Sequence, residues 1–336
     1  MAQPDPGASL EAPRSGRGWR SIAPRASSDS PTASYIAILI FAAVLLILPF
    51  ILGTRYLLQL SITTLIWVGM AVAWNMFSGA TRYFSLGSAG FFGVGAYVAL
   101  LTTPIVGMAV GLLLAALGAA LVGLLVGVST LRLRGLYFTL VTIGLGEALR
   151  LVALFAQPIT RGGTGVTLRE QPPLELVYAI TAGLLLVLVT VSVVLRASRI
   201  GLRLVAIRDD EDSLAAAGVR VDRYKILGFA ATVAPMGIFG GLYGFQLGFI
   251  HPQSVFILAL SLTVVIMVLL GGIGTVWGPV VGGIVLGLIM ETLWFRFPFI
   301  HELILGLLLI AIVLFMPSGV IGWLRRLIPI HRGHIT

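Results

Sequence analysis

Glu147 and Arg150 stand inside a long apolar run, residues 135–157, where charge is expensive. Each would cost about 2.5–3.5 kcal/mol at the centre of a bilayer, so such residues turn toward a bundle interior or a polar path. Their spacing of three puts them on one helical face, able to pair. Two chemistries fit: a buried ion pair that fixes helix packing, or a polar element of a translocation path. A secondary transporter that uses Glu147 as its proton- or ion-coupling carboxylate is a third, from a different functional class. Glu291 and Glu302 lie near the ends of apolar runs, where a solvated role is expected.

The other concentration of charge is the segment SRIGLRLVAIRDDEDSLAAAGVRVDRYK, Ser198 to Lys225. Asp209 or Asp210 supplies an N-cap, and Asp210, Glu211 and Asp212 put negative charge where a helix dipole is positive. Leu214 and Ala215–Ala217 suit a helix, and Gly218 suits its C-terminal stop. The expectation is a short helix of two or three turns between basic flanks. It is either a solvated connector or a docking surface. Its length favours docking, because most other links between apolar runs are much shorter.

Other chemistry is excluded. There is no cysteine, so disulfides, thiolate metal sites and thiol nucleophiles are ruled out. His251, His301, His331 and His334 show no metal-ligand spacing within an apolar run, and no metal site is expected. A nucleotide-cradling loop needs Gly-Lys, because the ammonium reaches the terminal phosphates. Lys225 is the sole lysine and follows Tyr224, so the chain has no ATPase site of that kind. No catalytic constellation suggests an enzyme.

The elements that hold these residues are membrane spans. Of 336 residues 58% are hydrophobic and only 10% charged, and the mean hydropathy is +1.05. A soluble domain carries about a quarter charged residues. A bilayer core needs about 20 apolar helical residues. On that measure the sequence predicts an all-α, polytopic membrane protein of about ten spans: 35–52, 56–78, 85–103, 105–130, 135–157, 176–195, 226–249, 255–271, 279–297 and 302–317. Residues 1–34, rich in Pro, Ser and Arg, read as a disordered cytoplasmic tail. Residues 35–317 form a transmembrane domain, with 196–225 as a cytoplasmic segment, and 318–336 form a cytoplasmic C-terminal tail. Ten spans with both termini inside place 17 of the 22 basic residues on the cytoplasmic side and three in outside links, with Arg150 within a span and Arg296 at the outer end of another. The net charge of +9 is therefore topological, and no nucleic-acid surface is expected.

Glycine is the second compositional signal, at 41 residues. Small residues recur at helical spacings in Phe84–Leu101, which permits close helix approach where lipid gives no hydrophobic drive. GFFG in the third span and GIFG in the seventh hint at an internal repeat. Gly271, Gly272, Gly274, Gly278 and Pro279 interrupt the pattern between spans eight and nine, as a tight turn or as a broken helix lining a path. His251-Pro252 reads as an external turn.

The segment around residue 210 resembles the membrane permease subunits of branched-chain amino acid ABC importers, of the LivM type. The resemblance is carried by Gly201, Ala206–Arg208, Asp209–Glu211, Ala215–Gly218 and Arg223–Lys225. It continues through RGLYFTLVTIGLGEALRL (134–151), LYGFQLGFIHPQSV (242–255) and VLLGGIGTVWGPVVG (268–282), covering roughly residues 56–317. TRGGTGVTL (160–168) follows the family's TGG loop only loosely. The resemblance implies that 201–218 is a coupling helix seated on a separate ATPase subunit, with Gly201, Arg208, Asp209, Glu211, Ala216 and Gly218 at the contact. It also implies a homologous LivH-type permease as partner, two cytoplasmic ATPases that bind the ATP, and a periplasmic or lipid-anchored binding protein docking near loop 158–175. The setting would be the bacterial inner membrane and its lipid, with no cofactor in this chain. Substrates would be branched-chain amino acids, although relatives move urea, amides or other amino acids.

Overall fold

In the computed structural model, the backbone of α10 (Val221–Leu247) packs closely against α3 (Ser88–Val106) and α4 (Met108–Thr130). A Cβ added to Gly95 would stand 2.1 Å from the Gly237 carbonyl oxygen, and one on Gly240 would stand 2.0 Å from that of Phe92. A Cβ on Gly237 would meet Ala119 and the Ala115 backbone. The two glycine-phenylalanine motifs noted in the sequence therefore pack on one another. Small residues at these contacts supply the van der Waals fit that lipid exclusion cannot.

The structure describes residues 31–133 and 135–296, with Ile300 and isolated positions from 303 to 320. The remaining elements are α1 (Pro31–Leu52), α2 (Arg55–Trp74), a π-helical turn (Asn75–Gly79), α5 (Leu136–Phe155), α6 (Gln157–Thr160), α7 (Leu174–Ala197), α8 (Arg199–Asp209), α9 (Glu211–Ala216), α11 (Pro252–Val255), α12 (Leu258–Gly271) and α13 (Gly278–Arg296). Two short strands, β1 (Val166–Thr167) and β2 (Phe249–Ile250), pair antiparallel with Val166 opposite Ile250.

Among the described residues, seven helices are long and apolar enough to cross a membrane, and α1 and α13 contribute shorter apolar stretches, Tyr35–Leu48 and Gly278–Met290. These nine coincide with the first nine predicted spans. The predicted tenth, 302–317, lies largely outside the described residues, as do Glu302, tail residues 1–30 and most of 318–336. The tail predicted to reach residue 34 is already helical at Pro31. Two differences bear on function. The helix expected around 201–218 is two helices, α8 and α9, broken at Asp210. Loop 158–175 is an ordered excursion: β1 pairs with β2, and Leu168 N–H donates to the Gly248 carbonyl at 2.8 Å.

Side-chain ties define the two ends of the bundle. At one, Gln246 near the end of α10 donates to the Gln59 carbonyl and the Thr63 hydroxyl on α2. At the other, the π-helical turn, the end of α7, the start of α10 and the α12–α13 turn converge. Between the ends lies an aromatic core centred on Phe229 of α10, whose ring lies 5.2 Å from Phe77, 5.5 Å from Phe91 and 5.9 Å from Phe138.

Candidate functional site: the α8–α9 elbow and the charged pair of α5

Ser198 ends α7 and starts α8, because its side chain accepts from the Gly201 N–H at 3.2 Å. The chain folds back so tightly there that a Cβ on Gly201 would stand 2.0 Å from the Leu195 carbonyl oxygen. Gly201, Leu204 and Ile207 recur every three residues and are buried, which lays one face of α8 on the bundle. Arg208 pairs with Asp209 at 3.0 Å on the outer side. Asp210 is extended, which no α-helix continues, and its carboxylate accepts from the Asp212 and Ser213 N–H groups to cap α9. Gly218 turns the chain with φ of 82° into α10. Asp209, Asp212, Ala215, Ala216, Ala217 and Gly218 are exposed along the elbow.

Glu211 points the other way. It accepts from Lys225 Nζ at 2.7 Å and from the Tyr83 hydroxyl at 2.6 Å. The Lys225 side chain is 2% exposed and that of Glu211 15%. Lys225 also donates to the Tyr83 oxygen at 3.2 Å and lies 4.9 Å from the centre of its ring. Arg82, in the left-handed conformation at φ of 61°, turns the chain after α2 so that Tyr83 reaches inward. The only lysine of the sequence is thus a buried tie between α9, α10 and the link after α2.

The glycine turn between α12 and α13 is held at the same end. Gly271 closes α12, Gly272 and Gly274 take positive φ, and Gly278 and Pro279 open α13. The Asn75 side chain donates to the Thr275 carbonyl and accepts from the Gly274 N–H, both at 2.8 Å. The Arg196 guanidinium donates to the Gly274 carbonyl. A Cβ on Gly79 would strike the Asn75 amide oxygen at 2.1 Å, so the π-helical turn leaves room for this grip.

Glu147 and Arg150 form a bidentate pair, with Arg150 Nε donating at 2.9 and 3.0 Å to the two carboxylate oxygens. The pair faces away from the interior of this chain. The Glu147 side chain is 54% exposed and that of Arg150 24%, which corrects the expectation of a pair inside the bundle. The reason is the placement of α5. It buries Phe138, Thr142, Gly146 and Ala153 and leaves Tyr137, Leu140, Gly144, Ala148, Leu151 and Phe155 outside. Its first half is fastened to the link after α2: Thr139 donates to the Phe84 carbonyl and Leu86 N–H donates to Thr142.

The sequence reading passed over Tyr83, Asn75 and Arg196, and took Lys225 as evidence against a nucleotide loop and as the end of a family motif, not as a buried tie. A usable signal existed for Asn75 and Lys225, because a lone polar residue in or beside an apolar run must find a partner.

Apolar helices packed by glycine, with a charged elbow at one end, define a polytopic membrane protein. The family "Branched-chain amino acid transport system / permease component" matches residues 56–313, and the chain belongs to it. It is similar to the high-affinity branched-chain amino acid transport system permease protein LivM of Escherichia coli K12, at 27% identity over 88% of this chain and 77% of that protein. The LivM protein of Salmonella typhimurium is also 27% identical, over 85% of this chain and 74% of its own. LivH of Escherichia coli K12 is 30% identical over a shorter stretch, 41% of this chain and 44% of LivH. No solved structure gives a significant match.

Proposed function

We propose that this chain is the transmembrane subunit of an importer for branched-chain amino acids in the bacterial inner membrane, powered by separate ATPase subunits. The observation that carries this reading is the α8–α9 elbow. Its inner face is fixed to the bundle by Gly201, Leu204 and Glu211, while Asp209, Ala216 and Gly218 stand outward at the end where the basic links concentrate. That combination is suited to receiving force from outside the membrane. The positive-inside rule makes this end cytoplasmic, with both termini inside. ATP is bound by the partners, in keeping with a sequence that has no Gly-Lys phosphate loop.

The Glu147–Arg150 pair supports pairing with a second, LivH-type permease. Exposed to acyl chains the pair would be costly, and facing a partner or a water-filled path it would not. Gly144 and Ala148 flank it at a spacing of four, and a Cβ on Gly144 would meet nothing within 4 Å in this chain, so another helix can approach there. The translocation path then runs between two permeases along this face of α5. At the opposite end, the β1–β2 excursion supplies a rigid platform for a periplasmic or lipid-anchored binding protein that delivers the substrate.

Affinity purification of the tagged chain from its native membrane tests this reading. Two ATPase subunits and a second permease are expected to co-purify. A chain that purifies alone and carries substrate on an ion gradient would favour a secondary transporter.

A further inference from the structure

Lys225 and Glu211 sit where α9 would transmit movement. Lys225 lies in the first turn of α10, the helix packed against α3 and α4 through Gly95, Gly237 and Gly240. One turn further along α10, Phe229 touches the π-helical turn through Phe77, α3 through Phe91 and α5 through Phe138. Tyr83, the third member of the cluster, makes its own edge contact with Phe138 at 5.6 Å. The carboxylate of α9 therefore bears on both α10 and α5, and α5 carries the Glu147–Arg150 pair. α8 is attached as well, through buried Leu204 and Ile207 and through Arg203, which donates to the Tyr224 hydroxyl and lies 4.7 Å from the centre of its ring. α9 is held to α10 by a buried ion pair, which is directional and resists both pulling and pushing.

We infer that the Glu211–Lys225–Tyr83 cluster is the joint that converts displacement of α9 into displacement of α10 and α5, so that its charges couple ATP hydrolysis to substrate movement. This rests on the reading that a separate ATPase drives the elbow. A buried ion pair that merely stabilised the fold would be replaceable by apolar or neutral groups of similar size, often at no cost. A joint would not, because neutral replacements lack the directional, charge-assisted bonds that carry the displacement.

The test uses the full complex in proteoliposomes, measuring labelled leucine taken up per ATP hydrolysed for the unaltered complex, the double variant Glu211→Gln with Lys225→Met, and the exchanged pair Glu211→Lys with Lys225→Glu. The double variant leaves no charge unpaired and so keeps the complex assembled. Its uptake per ATP is expected to fall about tenfold, and the exchanged pair is expected to recover most of it. A double variant with the unaltered ratio, or an exchanged pair no better than the double variant, overturns the inference. Tyr83→Phe, which retains the ring against Phe138, serves as a milder check: a lowered ratio supports the joint and an unaltered one counts against it. Failure of the underlying reading is seen separately, as ATP-independent uptake by the unaltered complex.

Discussion

Glu211 and Lys225, fourteen residues apart, meet at 2.7 Å across the join between α9 and α10, with the lysine almost wholly withdrawn from solvent. Removing one partner strands the other. Lys225→Met alone is expected to destabilise the protein by about 3 kcal/mol, with the double variant close to the unaltered protein. Thermal unfolding in detergent checks the order, and equal melting temperatures for the single and double variants would contradict it.

The α3–α10 contact has no room for a methyl group. Gly240→Ala places its Cβ against the Phe92 backbone, which cannot rotate aside, and is expected to cost about 1–3 kcal/mol. Gly183→Ala on α7, where nothing lies within 4 Å, is the matched control and is expected to be neutral. The same unfolding measurement compares them.

Asn75 holds the Gly274–Thr275 backbone with two hydrogen bonds. Asn75→Ala leaves those groups without their side-chain partner, at an expected cost of about 1–3 kcal/mol, concentrated in the turn. Limited proteolysis should then cut near residues 272–277 in the variant and spare the unaltered protein.

Ala216 is exposed on α9 and has no role in this chain's own core. Ala216→Trp is expected to leave membrane insertion and the melting temperature unchanged while abolishing ATPase co-purification and uptake. Normal uptake would remove α9 from the contact surface.

Much of the architecture was legible from composition. Apolar length alone located nine helices, since a bilayer sets the span, and the cap chemistry of Asp210 and the stop at Gly218 follow from residue type. What faces what was not legible. In α5 outer residues such as Leu140 and Leu151 are as apolar as buried ones such as Phe138 and Ala153, so periodicity could not show that Glu147 and Arg150 point outward. The inward turn of Glu211 depends on a lysine fourteen residues on and a tyrosine from a different part of the chain, and no local pattern encodes either contact. The π-helical turn at Asn75 is likewise set by its distant partner, the glycine turn.

If the proposed function holds, this chain moves branched-chain amino acids only when a separate ATPase drives the elbow. Uptake of labelled leucine by the reconstituted complex, with ATP enclosed against an ion gradient alone, measures that directly. Uptake is expected with ATP and not with the gradient, and the ATP-driven uptake is expected to be lost in Ala216→Trp. Gradient-driven uptake by this chain alone, without ATP, would contradict it.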